Sequence, residues 1–382
     1  MQEPIYLDHN ATTPVDRRVL EKMLPYFCDV YGNAASIDHL HGNKAKQAVD
    51  QARQTISKLL GCRKESEIVF TSGATESNNL ALIGSFRRFS DKGNHIISTA
   101  IEHPAVLDAL NYLQGEGAEI TLLPIDNDGI VDLEALEKSI KKETILISVM
   151  FANNEIGTIQ PIKEIGALAK SNGIIFHTDA AQATGHEKIK VYDMNIDLLS
   201  FSAHKFYGPK GVGGLFVRSY SPLIKLNPIS FGGGHEKGMR SGTLNVPGIV
   251  GMSEALTLAN KEMKEENSRL RVAANLICRQ LQQTFPDIKL NGHPQNRLAH
   301  NLSLTIPGVE AKALIHLLKD KLSFSAGSAC STVKVEPSHV LKAIGLNDNE
   351  TFQTIRLGLG RLTGDADAIA DILIDGIGQL NK

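Results

Sequence analysis

Between about residues 60 and 220, seven short β-rich runs alternate with helical patterns, and this rhythm restricts the chain more than any other feature. The runs are 67–71, 95–100, 119–124, 144–152, 174–179, 197–202 and 213–217. Between them, helices are expected over 75–88, 104–114, 133–140 and 161–170, several opened by a capping residue or an early proline. Strands that read as continuous apolar runs between helices predict a mostly parallel seven-stranded sheet covered on both faces, an α/β fold.

After residue 251 the texture changes to a long charged helix, 254–284, followed by less regular elements at 302–305, 310–319, 338–344, 353–360 and 366–379. This reads as a smaller α+β unit. The length of 382 residues exceeds the roughly 250–300 residues at which one core stops growing, so two domains are expected. We assign 15–255 to the large domain, and 1–14 with 256–382 to the small one. The turn-rich stretch 228–248 is the one long irregular segment, and such loops are more often functional than idle.

Charge and composition exclude several classes of function. With 42 acidic and 40 basic residues and no dense Lys/Arg block, a direct nucleic-acid partner is not expected. The N-terminus lacks a basic and apolar leader, and no apolar run reaches the ~18 residues of a membrane span, so a cytoplasmic protein without membrane contact is expected. Cys28, Cys62, Cys278 and Cys330 lie far apart, without a CxxC or a Cys/His cluster. Neither disulfide scaffolding nor a metal site follows from that spacing.

Several residues at predicted strand ends carry chemistry. Lys205 follows an apolar strand, where burial can hold its amine neutral as a Schiff base requires; a random lysine would merely solvate a loop. Asp179 ends the strand 174–179, at the edge where parallel sheets collect ligands, and could hold a pyridine nitrogen protonated; a cap for the next turn is the rival reading. The segment 71–77, with Ala74 and Thr75 behind Gly73, joins strand to helix as a phosphate cradle would. It lacks the spacing and lysine of a P-loop, and alone it weighs no more than an ordinary cap. His103 lies just past another strand end, where imidazole can stack on a ring or exchange protons; a lone histidine is more often structural. Arg356 in a strand-like run suits a substrate carboxylate, and equally a structural ion pair. Cys330 sits among small polar residues, as an exposed thiol on a mobile loop would, whereas Cys28, Cys62 and Cys278 read as ordinary, partly buried residues.

Taken together, the runs 6–14, 71–78, 153–157, 177–182, 202–214, 240–243 and 327–337 resemble the cysteine desulfurases of the NifS/IscS type, within the class V aminotransferase family of PLP fold type I. The resemblance covers nearly the whole chain. It implies pyridoxal 5'-phosphate bound covalently to Lys205, with Asp179 on the pyridine nitrogen, Gln182 on the phenolic oxygen and His103 on the ring. Ala74, Thr75, Ser202 and His204 would surround the phosphate, and Asn154 and Arg356 would orient the substrate. Thr243 would reach the phosphate of a second subunit, implying a homodimer.

The same resemblance implies conversion of L-cysteine to L-alanine, with the sulfur held on Cys330 as a persulfide, His103 assisting proton transfers, and delivery to an acceptor or iron-sulfur scaffold protein. The run 333–337 after Cys330 is similar to the longer-loop group of the family. The loop reads Ser-Ala-Gly-Ser where relatives often show Ser-Ser-Gly-Ser. The chain also stops soon after its last helix, so the C-terminal docking of scaffolds used by housekeeping relatives is not expected. The rival readings are a selenocysteine lyase or other class V enzyme, which would not need Cys330, and a non-catalytic platform for sulfur-transfer proteins.

Overall fold

Alternate side chains of the central strands enter two different cores, which is what a sheet covered on both faces requires. The computed structural model describes residues 3–327, 329–330 and 335–381, and leaves the side chains of 329, 330 and 335 outside that description. Seven strands form the main sheet: β1 (Ile68–Thr71), β2 (His95–Thr99), β3 (Glu119–Leu123), β4 (Thr144–Ser148), β5 (Ile175–Asp179), β6 (Leu198–Ser202) and β7 (Gly213–Val217). Their spatial order is β1-β7-β6-β5-β4-β2-β3. All neighbours are parallel except β7, which runs antiparallel to both β1 and β6. Ile97, Ile147, Phe176 and Leu199 face one core, while Ile96, Leu146, Ile175 and Leu198 face the other. The mostly parallel α/β sheet expected from the rhythm of the chain is therefore present.

A separate core forms around Asn301–Thr305, which pairs antiparallel with Thr354–Gly358. Leu7 joins this core, and Ile5–Tyr6 pairs with Leu322–Ser323. One helix of 39 residues, Val246–Thr284, contributes to both: Ile249, Met252 and Ala259 pack in the first core, Leu270, Ile277 and Leu281 in the second.

Two readings need correction, and two helices need adding. The irregular segment ends at Asn245, and the long helix begins at Val246 rather than near 254. Pro247 and Gly248, taken as turn signals, fit the first helical turn, where Asn245 Oδ1 accepts from the Gly248 amide at 3.0 Å. Cys28 is exposed on a four-residue helix with no buried side chain, not partly buried. Finally, the helices Arg17–Met23 and Leu40–Leu60 precede the sheet and were not anticipated. No described helix is long and apolar enough to cross a membrane.

Candidate active site

The carboxyl ends of β5 and β6 open on a cavity of about 640 Å³. Asp179 closes β5, while Ser202 ends β6 and leads into a single 3-10 turn, Ala203–Lys205. Lys205 Nζ donates to the carbonyls of Asn10 (2.6 Å) and Ala11 (2.8 Å). Burial pushes this amine down to about 8; the Arg356 guanidinium adds to the effect, and Asp179 and Asp8 oppose it.

Across the cavity, Asp179 is 6% exposed. Its Oδ1 accepts from the Ala181 amide at 2.9 Å and its Oδ2 from Asn78 Nδ2 at 2.6 Å. The turn cap weighed as a rival is thus made by one oxygen, and the other is oriented by a side chain from a neighbouring helix.

The helix carrying Asn78, Ala74–Phe89, starts from Gly73 at φ +155° with no side-chain cap. Ala74 and Thr75, in a first turn that lacks the usual side-chain cap, line the same cavity. Glu76 in that turn would repel an anion, but Arg240 holds it at 2.7 Å. His204 lies alongside, its Nδ1 3.1 Å from Thr12 Oγ1, and burial with Lys205 and Lys210 pushes it down to about 4, so it is neutral near pH 7. Gln182 Nε2 donates to the Asn10 carbonyl at 3.0 Å.

His103 precedes Pro104 at the start of Pro104–Gly115, and its Nδ1 accepts from the Ala105 amide at 3.1 Å. That bond leaves Nε2 as the proton-carrying nitrogen. Burial lowers its pKa, aided by Lys205 and His339 and opposed by Asp179. Arg356 pairs with Asp8 at 2.9 Å and donates to the Asn154 carbonyl at 3.3 Å. Its Nε is buried and has no partner among the described residues. The ion pair weighed as the rival reading is thus made, by a guanidinium that also lines the cavity.

Ala74, Thr75, His103, Asn154 and Asp179 line the cavity together with Gln182, Ser202, His204, Lys205 and Arg356. Thr243 does not; it is exposed in the segment that Arg240 ties to Glu76. A second cavity of about 670 Å³ shares His103, Asn154 and Arg356 with the first, and Gly327 and His339, on either side of Cys330, line it. The backbone of Ala329–Cys330 pairs with Val335–Glu336, and the Cys330 thiol lies outside the described atoms. Asn78 was missed by sequence reasoning, as were the Asn10 and Ala11 carbonyls. All three lie in runs that carry the resemblance, 6–14 and 71–78, but nothing in the local sequence gives any of them a partner in the cavity. Among the described residues no His/Cys/Asp/Glu group could hold a metal ion.

The sequence profile of the family described as Aminotransferase class-V matches residues 5–368. The chain belongs to the class-V aminotransferase family. Within it, the cysteine desulfurase IscS of Rickettsia rickettsii (strain Iowa) is 46% identical over 95% of this chain and 88% of its own length. A solved NifS-like protein superposes with a TM-score of 0.90 at 35% identity, covering 99% of both chains. The structure of SspA in complex with cysteine follows at TM-score 0.78 and 38% identity, over 93% of this chain and 98% of that one. The cofactor of this class-V branch is pyridoxal 5'-phosphate. The residues present fit it: a depressed lysine amine, a buried carboxylate opposite, and an uncapped helix start for the phosphate.

Proposed function

We propose that this chain is a cysteine desulfurase that removes the sulfur of L-cysteine, releases L-alanine and holds the sulfur on Cys330 as a persulfide for an acceptor protein. One observation carries the reading. The cavity of Lys205 and Asp179 adjoins a second cavity, through His103, Asn154 and Arg356, that is bordered by both ends of the Cys330 segment.

When bound, pyridoxal phosphate supplies an electron sink for charge at the substrate α-carbon. Lys205, with an amine that is partly neutral near pH 7, takes the α-proton. The Arg356 guanidinium, which lines the cavity, offers donors for the substrate carboxylate, and Asp8 and the Asn154 carbonyl hold it in place. His103 Nε2 moves a proton between the cleft and the reacting sulfur. The Cys330 thiolate attacks the substrate sulfur: an S–S bond forms, the Cβ–S bond breaks, its electron pair stays on Cβ, which is protonated, and Lys205 returns the α-proton to give alanine.

Thr243, exposed and outside its own cavity, would complete the phosphate site of a second copy, making the working unit a homodimer. The acceptor would be a sulfur-carrier or iron-sulfur scaffold protein, and the setting the cytoplasm.

The test is Cys330→Ala in protein with an intact cofactor spectrum. Alanine release from L-cysteine should fall at least about 100-fold, because the displacement loses its nucleophile, and the wild type should gain one sulfur atom on the peptide containing Cys330. Alanine release at the wild-type rate would instead indicate a lyase that does not use Cys330.

A further inference from the structure

The segment bearing Cys330 is anchored on both sides to the elements that surround the substrate. Upstream, Ser325–Ala326 pairs with Ile355 and Arg356, and the Gly327 amide donates to the Thr354 carbonyl at 2.7 Å. A Cβ at Gly327 would lie 2.7 Å from Leu341 Cδ1 and 2.9 Å from Thr354 Cγ2, so this anchor is tightly packed. Cys330 is three residues beyond Gly327, which limits its reach from that point to about 10 Å.

Downstream, the anchor is polar. Ser338 caps the short helix His339–Ala343, its Oγ accepting from the Leu341 amide at 3.1 Å. The hydroxyl has a single proton, and it donates that proton to Glu155 Oε2 at 2.5 Å. One residue on, His339 Nε2 donates to the Glu102 carbonyl at 3.0 Å. The downstream end is therefore fixed to the neighbours of Asn154 and of His103.

Glu155 has no Lys or Arg within ion-pair distance among the described residues. Its half-buried carboxyl is raised by burial, while Ser338, His339 and Arg356 pull it down. A half-buried carboxyl held by a hydroxyl rather than by an ion pair calls for an explanation. The substrate reading gives it none, since Asn154 and Arg356 already face the substrate.

We infer that Glu155 is a positioning residue: through the Ser338 hydroxyl it fixes the return strand Val335–Glu336, and so the place where the paired Cys330 backbone waits. The chain of contacts is short. Ser338 is two residues from Glu336, and Val335 pairs with Cys330 itself. The inference rests on the reading of Cys330 as the sulfur acceptor. It concerns orientation rather than reach, because reach is set by Gly327.

The experiment uses the holoenzyme and two variants, Glu155→Ala and Glu155→Gln. The glutamine amide oxygen can still accept from Ser338, so Gln is the conservative control. In a single turnover with L-cysteine, Glu155→Ala should slow sulfur transfer to Cys330 roughly tenfold, the scale of one lost hydrogen bond. The cofactor absorbance change on adding L-cysteine should keep its wild-type rate in both variants, and Glu155→Gln should transfer sulfur within about twofold of wild type.

A second readout needs no sulfur chemistry: amide hydrogen exchange over 335–341 without substrate should be faster in Glu155→Ala and near wild type in Glu155→Gln. Exchange at the wild-type pace in Glu155→Ala would overturn the inference, and so would an equal loss in the absorbance step. If exchange responds as expected while the wild type takes up no sulfur, the desulfurase reading falls and the clamp stands.

Discussion

Burial holds the Lys205 amine at about 8, and capture of an aldehyde cofactor needs that amine neutral. Below its pKa the lysine is protonated and cannot attack. Capture of added pyridoxal phosphate by the cofactor-free protein should therefore rise about tenfold per pH unit up to pH 8 and then level off. Stopped-flow absorbance measures this, and an inflection near the ordinary lysine value of about 10.4 would contradict the role of burial. Asn78 makes a second residue-scale prediction. Asn78→Ala removes the 2.6 Å donor to Asp179 Oδ2, and hydrogen bonds to charged groups contribute roughly 1.5–3 kcal/mol. Cofactor affinity, followed by equilibrium dialysis, should weaken at least about tenfold; unchanged affinity would show that Asp179 needs no such orientation. The contrast between the two residues shows what local sequence conveys. Lys205 and Asp179 were legible because each follows an apolar strand, and strand ends gather at one edge. Asn78 was not, because its partner lies 101 residues away and only the packing of a helix on the sheet brings them together.

At the scale of elements, β7 is closely hemmed in by its neighbours. A Cβ at Gly213 would lie 2.5 Å from the Phe201 carbonyl oxygen and 2.7 Å from Gly73 Cα, both backbone atoms that cannot rotate away. Gly213→Ala should therefore cost about 1–3 kcal/mol, read as a lower urea midpoint. It should also weaken cofactor binding, because the displaced residue is the one that starts the phosphate cradle. A stability loss without a loss of affinity would separate Gly73 from that role. The direction of β7 could not be read from sequence, since a fully buried strand has the same apolar pattern whichever way it runs. The helix Leu40–Leu60 was readable but overlooked: Ala45, Val49, Ala52, Ile56 and Leu60 recur at helical spacing, and Gly61 at φ +73° stops it. Its polar and charged majority masked that stripe.

For the molecule as a whole, buried ionisable groups shape the pH dependence of stability. Burial lowers the pKa of His9, His186 and His300, and takes His177 to about 3. Unfolded histidines bind protons below about 6.5 while the folded ones do not, so stability falls as pH drops through that value, by roughly 2 kcal/mol at pH 5 for a group like His177. Burial has the reverse effect on Glu102, pushed up to about 8. It binds a proton in the folded state that the unfolded chain releases above about 4.3, so its contribution is lost as pH rises toward 8. Urea midpoints against pH should peak near neutrality and fall more steeply on the acid side; a midpoint still rising below pH 6 would contradict the neutral burial of these histidines. The proposed pairing of subunits makes a prediction at the same scale. Mixing inactive Lys205→Ala with Thr243→Ala and allowing exchange should restore about half of wild-type activity per mixed dimer, because one of its two sites is then intact. No recovery would argue that Thr243 acts within its own subunit or not at all.

The helix Val246–Thr284 is a rod of about 58 Å rooted in two cores, and none of its residues from 260 to 269 is buried. Around that bare stretch, Arg18 and Arg361 brace Glu262 and Glu266 at 2.6 to 3.4 Å. The stretch between the two cores is therefore tied down by charge rather than by packing. These pairs act as ionic guy-lines on an otherwise bare mast, and added salt that slackens them should loosen the rod at this point, read as faster amide exchange over 260–269.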